Sequence, residues 1–212
     1  MFRRVCLLAL TLGAGHALAA VPGSDCDSAI KPLHPGWVWT YRDTAKSGVT
    51  LFEMRQTPIE GGYTDTYTAP GKPPSPQRYR CTGGALINIT PPSIGGAEIS
   101  KLSVTGVSFP PPAEWTPGKS WQYVMNMQGK KSGLPARAAI TFDYRIVGRE
   151  KISVLAGTFD AWKVDISVNA DARVAILPIR QAFTETQWIA PGIGIIKIQR
   201  ENSGSELAGL KK

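Results

Sequence analysis

Apolar and polar residues alternate along most of this chain. Ala138, Ile140, Phe142, Tyr144 and Ile146 fall on one side of an extended backbone, with Ala139, Thr141, Asp143, Arg145 and Val147 on the other. Trp121, Tyr123, Met125 and Met127 alternate with Gln122, Val124, Asn126 and Gln128. Trp162, Val164, Ile166 and Val168 alternate with Lys163, Asp165 and Ser167. A period of two marks a half-buried strand, because successive side chains point to opposite faces. Shorter segments at 37–42, 49–57, 63–68, 77–82, 85–90, 98–108, 152–155, 182–189 and 194–200 read as further strands. Glycine pairs and a proline-rich stretch at 69–76 punctuate them. No segment carries the apolar spacing of a three-turn amphipathic helix. The pattern predicts an all-β, antiparallel meander.

One motif recurs. Pro35-Gly36-x-x-Trp39-x-Tyr41 and Pro117-Gly118-x-x-Trp121-x-Tyr123 share their spacing. Pro presets the second position of a type II turn, and Gly supplies the positive φ of the third. Each copy, and Pro191-Gly192, reads as a corner entering a strand. Lys-Ser-Gly follows both copies, at 46–48 and 131–133. These echoes predict one β domain over 20–205, built from two related halves at about 26–108 and 109–202. A stiff connector at 109–117, opening on Phe109-Pro110-Pro111-Pro112, joins them. Residues 206–212 read as a flexible tail.

Arg3 and Arg4, an apolar run over 5–12 and Ala17-Leu18-Ala19 form a signal-peptide pattern over residues 1–19. No cysteine follows the expected cut, as a lipoprotein anchor requires, and no apolar run is long enough to span a bilayer. The reading is a periplasmic or secreted protein. Formal charge is +8, but the cations are scattered and interleave with no aromatic stripe, which excludes a nucleic-acid surface. Cys6 lies in the leader, so Cys26 and Cys81 are left to form one disulfide in an oxidising compartment.

Two segments carry a resemblance. Ala156-Gly157-Thr158-Phe159, running on to Lys163-Val164, resembles one mark of a bacterial envelope β-protein family of unknown function. Trp188-x-Ala190-Pro191-Gly192-x-Gly194-x-x-Lys197 resembles its second mark. The resemblance implies a long antiparallel sheet curled into an open or half barrel, similar to periplasmic lipoprotein carriers. It brings no catalytic residue, metal ligand or cofactor.

Chemistry-bearing residues are sparse. His34, the one histidine outside the leader, precedes a Pro-Gly turn, and no nucleophile elbow accompanies it. Asp25-x-Asp27 offers too few oxygens for calcium. Asp143, Asp165 and Glu185 would serve a carboxylate-based hydrolase only if two of them converged in a cleft. The stronger lead is the aromatic face. Trp121, Tyr123, Met125, Phe142, Tyr144 and Trp162 either fill a core or line a groove for an apolar or lipid-like ligand. Residues 174–179, flanked by Arg173 and Arg180 and including Ile176 and Leu177, form either a buried edge strand or an exposed contact for a membrane or an envelope protein. The leading expectation is a non-enzymatic carrier. A structural or protein-interaction module of the envelope is the alternative.

Overall fold

The computed structural model describes residue 26, residues 28–92 and residues 96–212. The expected leader, residues 1–19, and the Asp25-x-Asp27 pair lie outside the described residues. Twelve strands make one antiparallel sheet. They are β1 (Val38–Ala45), β2 (Gly48–Ile59), β3 (Gly62–Thr68), β4 (Ser75–Thr82), β5 (Ala85–Asn88), β6 (Glu98–Gly106), β7 (Ser120–Lys131), β8 (Leu134–Val154), β9 (Gly157–Val174), β10 (Leu177–Ala190), β11 (Gly194–Arg200) and β12 (Ser203–Lys211). The order is β5-β4-β3-β2-β1-β12-β11-β10-β9-β8-β7-β6. Each strand therefore pairs with its sequence neighbours, except that β1 pairs with β12 while β5 and β6 part. As the alternation predicts, the fold is an all-β meander, here curled into a nearly closed barrel with an unsealed seam.

Among the described residues the seam is stitched at one end. Leu86 and Phe109 exchange backbone hydrogen bonds of 2.9 and 3.1 Å, and the Asn88 N–H donates to Ser108 Oγ at 2.6 Å. The Tyr123 hydroxyl donates across the gap to the Asn88 carbonyl. Residues 108 and 109, just past β6, thus take the place a β6 ladder would occupy beside β5.

The three Pro-Gly pairs singled out above make the same turn, as does Pro70-Gly71, where the Lys72 N–H donates to the Ala69 carbonyl and Gly71 has φ of 69°. Trp37, Lys119 and Ile193 N–H donate to the carbonyls of His34, Thr116 and Ala190 at 3.2, 3.1 and 3.0 Å. Gly36, Gly118 and Gly192 have φ of 91°, 83° and 81°, the type II signature. The first two enter β1 and β7 as expected. The third differs: with Ile193 it forms the loop of the β10–β11 hairpin, closed by the Ala190–Gly194 pair. A third loop residue and the adjoining bulge relieve the twist mismatch of a two-residue type II hairpin.

Three other expectations change. Residues 206–212 are not a loose tail, because β12 runs between β1 and β11 and ties the last strand to the first. Its Leu207 is buried, and Glu206 bonds Arg42 of β1. Residues 109–117 are not a bare connector. Phe109, Pro110 and Trp115 are buried, Pro112–Glu114 forms a 3-10 turn, and the Trp115 indole N–H donates to the Pro110 carbonyl at 3.0 Å. The pairing breaks before β6 rather than at residue 109, since β6 pairs with β7 alone.

The chain preceding β1 seals one end of the barrel. The Cys26–Cys81 disulfide, expected from cysteine count, pins it to β4 with the Cα atoms 5.1 Å apart. Lys31 enters the interior and meets Asp65 of β3 at 2.5 Å, with both side chains buried. The Lys31 ammonium also donates to the Tyr63 hydroxyl at 3.1 Å and lies 4.4 Å from the Tyr79 ring centre. Gln56 donates to the other Asp65 oxygen at 3.1 Å. The Gly192 N–H bonds the Ala29 carbonyl at 2.7 Å, and His34 Nε2 donates to the Gly192 carbonyl at 3.0 Å. His34 itself stacks on Trp37, with ring centres 3.7 Å apart.

Burial alone would lower the pKa of Lys31, but the Asp65 carboxylate, Tyr79 and the hydrogen bond to Asp65 hold it above 10.5. A raised lysine contributes stability in full below its unfolded pKa and loses it as pH rises through the folded pKa. The pair therefore acts undiminished at neutral pH. Lys31→Met leaves a buried carboxylate without its cation and is expected to cost about 3–5 kcal/mol in urea unfolding at neutral pH. Lys31→Met/Asp65→Leu should recover most of that loss.

Candidate functional site

The registers of β7 to β10 align their inward side chains in transverse rows. Met127, Ala138, Ala172 and Ile179 form one, near the hairpin tips. Met125, Ile140, Ala170 and Gln181 come next, then Tyr123, Phe142, Val168 and Phe183. Trp121, Tyr144, Ile166 and Glu185 form the deepest of the four. Strand alternation makes these rows one continuous face. Glu185 is its only charged member.

The deep part of this face meets a facing wall. Tyr67, Gln77, Tyr79 and Asn88 from β3 to β5, with Ile195 and Ile198 of β11, enclose a cavity of about 540 Å³ against Tyr123, Met125, Phe142 and Tyr144. Four of the six aromatic-face candidates thus line one space. The other two serve the sealed end. Trp121 stacks on Tyr144 at 4.8 Å and leans on Trp115 at 5.8 Å, while Trp162 packs on Trp115 at 6.1 Å under the Arg149 guanidinium.

The outer part of the face lacks such a wall. Ala136, Ala138 and Ala172 floor a shallow trough between Ile99, Met127, Val174 and Ile179. Ile179 and Phe183 share rows with buried Met127 and Val168, yet stay 40% and 48% exposed. The face thus borders a cavity in its deep part and a shallow, less covered trough beyond it. Sequence reasoning missed Phe183, Ile179 and the alanines. Their signal was the alternation Leu177, Ile179, Gln181, Phe183, interrupted by Pro178 and a polar member.

Polar groups cluster on one side of the cavity. The Arg200 guanidinium donates to Glu185 at 2.7 Å, and Gln187 donates to its other oxygen at 2.5 Å. Arg200 remains partly exposed while Glu185 is nearly covered. The three candidate carboxylates do not all converge: Asp143 and Asp165 border one shallow, open pocket on the outward face, where they accept from Gln122 and Thr186 at 2.8 Å, and Glu185 lies on the opposite face. That face carries charge in successive rows, including Ser120, Arg145, Asp165 and Thr186, the reverse of a barrel whose outside meets lipid. Among the described residues no helix is long and apolar enough to cross a membrane.

The flanked loop candidate is exposed. Residues 174–179 do not form a buried edge strand. They make the tip of the β9–β10 hairpin, with Ile176 86% and Leu177 66% exposed, and Arg173 and Arg180 pair across from Pro178 and Asp171.

All six tyrosines are pushed above their ordinary pKa of 10.0, with burial the largest cause in each. Asp65 adds to Tyr41, Tyr63, Tyr67 and Tyr79, and Glu185 adds to Tyr144. A phenol that must stay neutral in the fold holds stability below its unfolded pKa and loses it above. Ultraviolet titration should therefore show no tyrosinate in the folded protein around pH 10, then a single cooperative rise as alkali unfolds it. A graded rise near pH 10 from the native protein would contradict this burial.

Among solved structures, the chain is similar to a protein of Bacteroides fragilis described as a candidate exported protein with a YmcC-like fold. The TM-score is 0.56 at 19% identity, over 86% of this chain and 99% of that one. It is also similar to a Parabacteroides distasonis protein described as a candidate lipoprotein, with a TM-score of 0.52 at 17% identity over 86% and 98%. At these identities the likeness shows the fold. No curated protein matches the chain. The DUF3108-like family model matches residues 101–211, the segment that supplies the inward rows.

Proposed function

The chain belongs to the DUF3108-like family, and from that premise and the half-open groove we propose that it is an exported, non-enzymatic carrier of an apolar, lipid-like chain. The carrying observation is that Ile179, beside the alanine-floored trough, and Phe183, on the wall of the cavity, are 40% and 48% exposed on one inward face. An apolar face without a cover is stabilised by a ligand that removes it from water, at about 0.8 kcal/mol per buried methylene. From Leu177 to Glu185 the groove runs eight residues, or about 27 Å at a strand rise of about 3.4 Å. That length suits one extended acyl chain. The cavity of about 540 Å³ falls within the usual range for small-molecule sites. The leader-like residues 1–19 and the exported description of a structural neighbour support an envelope location.

A second reading has its own observation. β11 stops opposite Glu185, so among the described residues the backbone of β10 from Leu177 to Thr184 has no strand partner on that side. A free edge of this length suits a strand from an envelope protein. The hydrolase reading has no comparable support, because Asp143 and Asp165 lie outside the barrel and Glu185 is engaged by Arg200 inside it.

Fluorescence of a naphthylamine probe separates these readings. Wild-type protein should brighten the probe, and a long-chain fatty acid should displace it. Ala172→Trp fills the trough and should weaken probe binding about tenfold or more, since overpacking a tight apolar site costs about 1–3 kcal/mol. Val147→Ala, on the outward face, should bind as wild type. Equal binding by Ala172→Trp would remove the groove from the proposal.

A further inference from the structure

The end of the barrel that carries the open trough ends in two adjacent hairpin tips. The β7–β8 turn at Ser132 and Gly133 and the β9–β10 turn at Ala175 and Ile176 are tied together by the Ala175 N–H, which donates to the Pro135 carbonyl at 2.8 Å. Both tips present apolar side chains to water. Leu134 is 51% exposed, beside the still more exposed Ile176 and Leu177. Nothing among the described residues packs against them.

A belt of cations lies one layer below. The registers place Lys101, Gln128, Arg137 and Arg173 in a single outward row across β6 to β9. Arg137 and Arg173 stand directly opposite each other, an arrangement that destabilises an antiparallel pair. None of these three cations is in an ion pair among the described residues. Lys130 and Arg180 extend the belt. Among the described residues only Glu98, across from Lys130, and Asp171, 3.2 Å from Arg180, oppose it. Folding alone does not favour such a row. An anionic surface does.

We infer that the two tips dock this end of the barrel on an anionic phospholipid bilayer, with Leu134, Ile176 and Leu177 entering the acyl boundary and the Lys101–Arg137–Arg173 row at the phosphates. The spacing fits. Arg173 and Ile176 are three residues apart, about 10 Å along an extended strand. Interfacial anchors enter the headgroup and acyl boundary by about 5–10 Å. Basic residues near such a surface contribute about tenfold or less in affinity each, screened by salt. The trough opens between the same strands, so docking would set its mouth on the bilayer. The inference extends the carrier reading but is measured without it, because vesicle binding requires no occupant in the groove.

The test is sedimentation of the purified, disulfide-intact protein with vesicles of phosphatidylcholine alone and of phosphatidylcholine mixed with phosphatidylglycerol. Wild type should bind the mixed vesicles about tenfold or more tightly than the neutral ones and release them as salt rises. Arg137→Gln/Arg173→Gln should lose about tenfold or more on mixed vesicles. Ile176→Ser/Leu177→Ser keeps every charge and should also lose about tenfold, given about 0.8 kcal/mol per methylene withdrawn from the bilayer. Both changes lie on exposed positions, and near-ultraviolet circular dichroism checks that the fold is kept. Ile176→Trp should blue-shift its emission only with mixed vesicles. Equal binding to both vesicle types overturns the inference, as does wild-type binding by the Ile176/Leu177 variant, which would mean adsorption by charge alone. Absence of vesicle binding also overturns it.

Discussion

Unequal strand length is the constraint on which the rest of this structure depends. β8 and β9 run 21 and 18 residues, whereas β11, β3 and β5 have seven, seven and four. A barrel closes only where strands exist to face one another. The long strands outrun the short ones at one end, so their inward rows lose the wall that buries them elsewhere. Ile179 and Phe183 are the residues on which this falls. The seam between β5 and β6 has the same origin. β5 ends at Asn88, and the chain reaches β6 only after a loop, so Ser108 and Phe109 supply the bonds that a ladder would have made.

The opposite end must compensate for that openness. It holds the disulfide, the Lys31–Asp65 pair, the turns at Gly36, Gly118 and Gly192 and the tilted cluster of Trp115, Trp121 and Trp162. A buried ion pair is a costly element where an apolar pair would serve. Here it fixes where the segment before β1 enters the barrel, since Asp65 accepts from both Lys31 and Gln56 and can do so in one register. β12 adds the last constraint by joining the last strand to the first in one ladder with β1. Rigidity is thus concentrated at the closed end, and the apolar exposure is left at the other.

Local alternation was strong enough to read most strands directly. β8 is the clearest, because five successive inward residues are large or apolar and the outward ones are mostly polar. Pro-Gly turns and the single cysteine pair were legible for the same reason: each has one dominant local physical explanation. β12 was not legible. Gly204, Ser205 and Gly209 have little strand preference, and the strand exists because β1 offers it a partner. The first half of β10 was hidden by Pro178, which lacks the ladder N–H. It is tolerated there because β11 stops short and leaves that part of β10 an edge. The Lys31–Asp65 pair spans 34 residues without any periodic signal. The aromatic face was visible, but its division into an enclosed cavity and an open trough depends on which strands are longer, and that is a property of the assembled sheet.

The central claim is that the concave face carries an apolar chain. Native mass spectrometry of the protein released gently from a bacterial periplasm, followed by solvent extraction, tests it most directly. The account predicts a reproducible added mass that leaves with the solvent as a lipid or a similar apolar compound. A bare chain, lighter by two hydrogens for the Cys26–Cys81 bond and stable without any extractable partner, would contradict it.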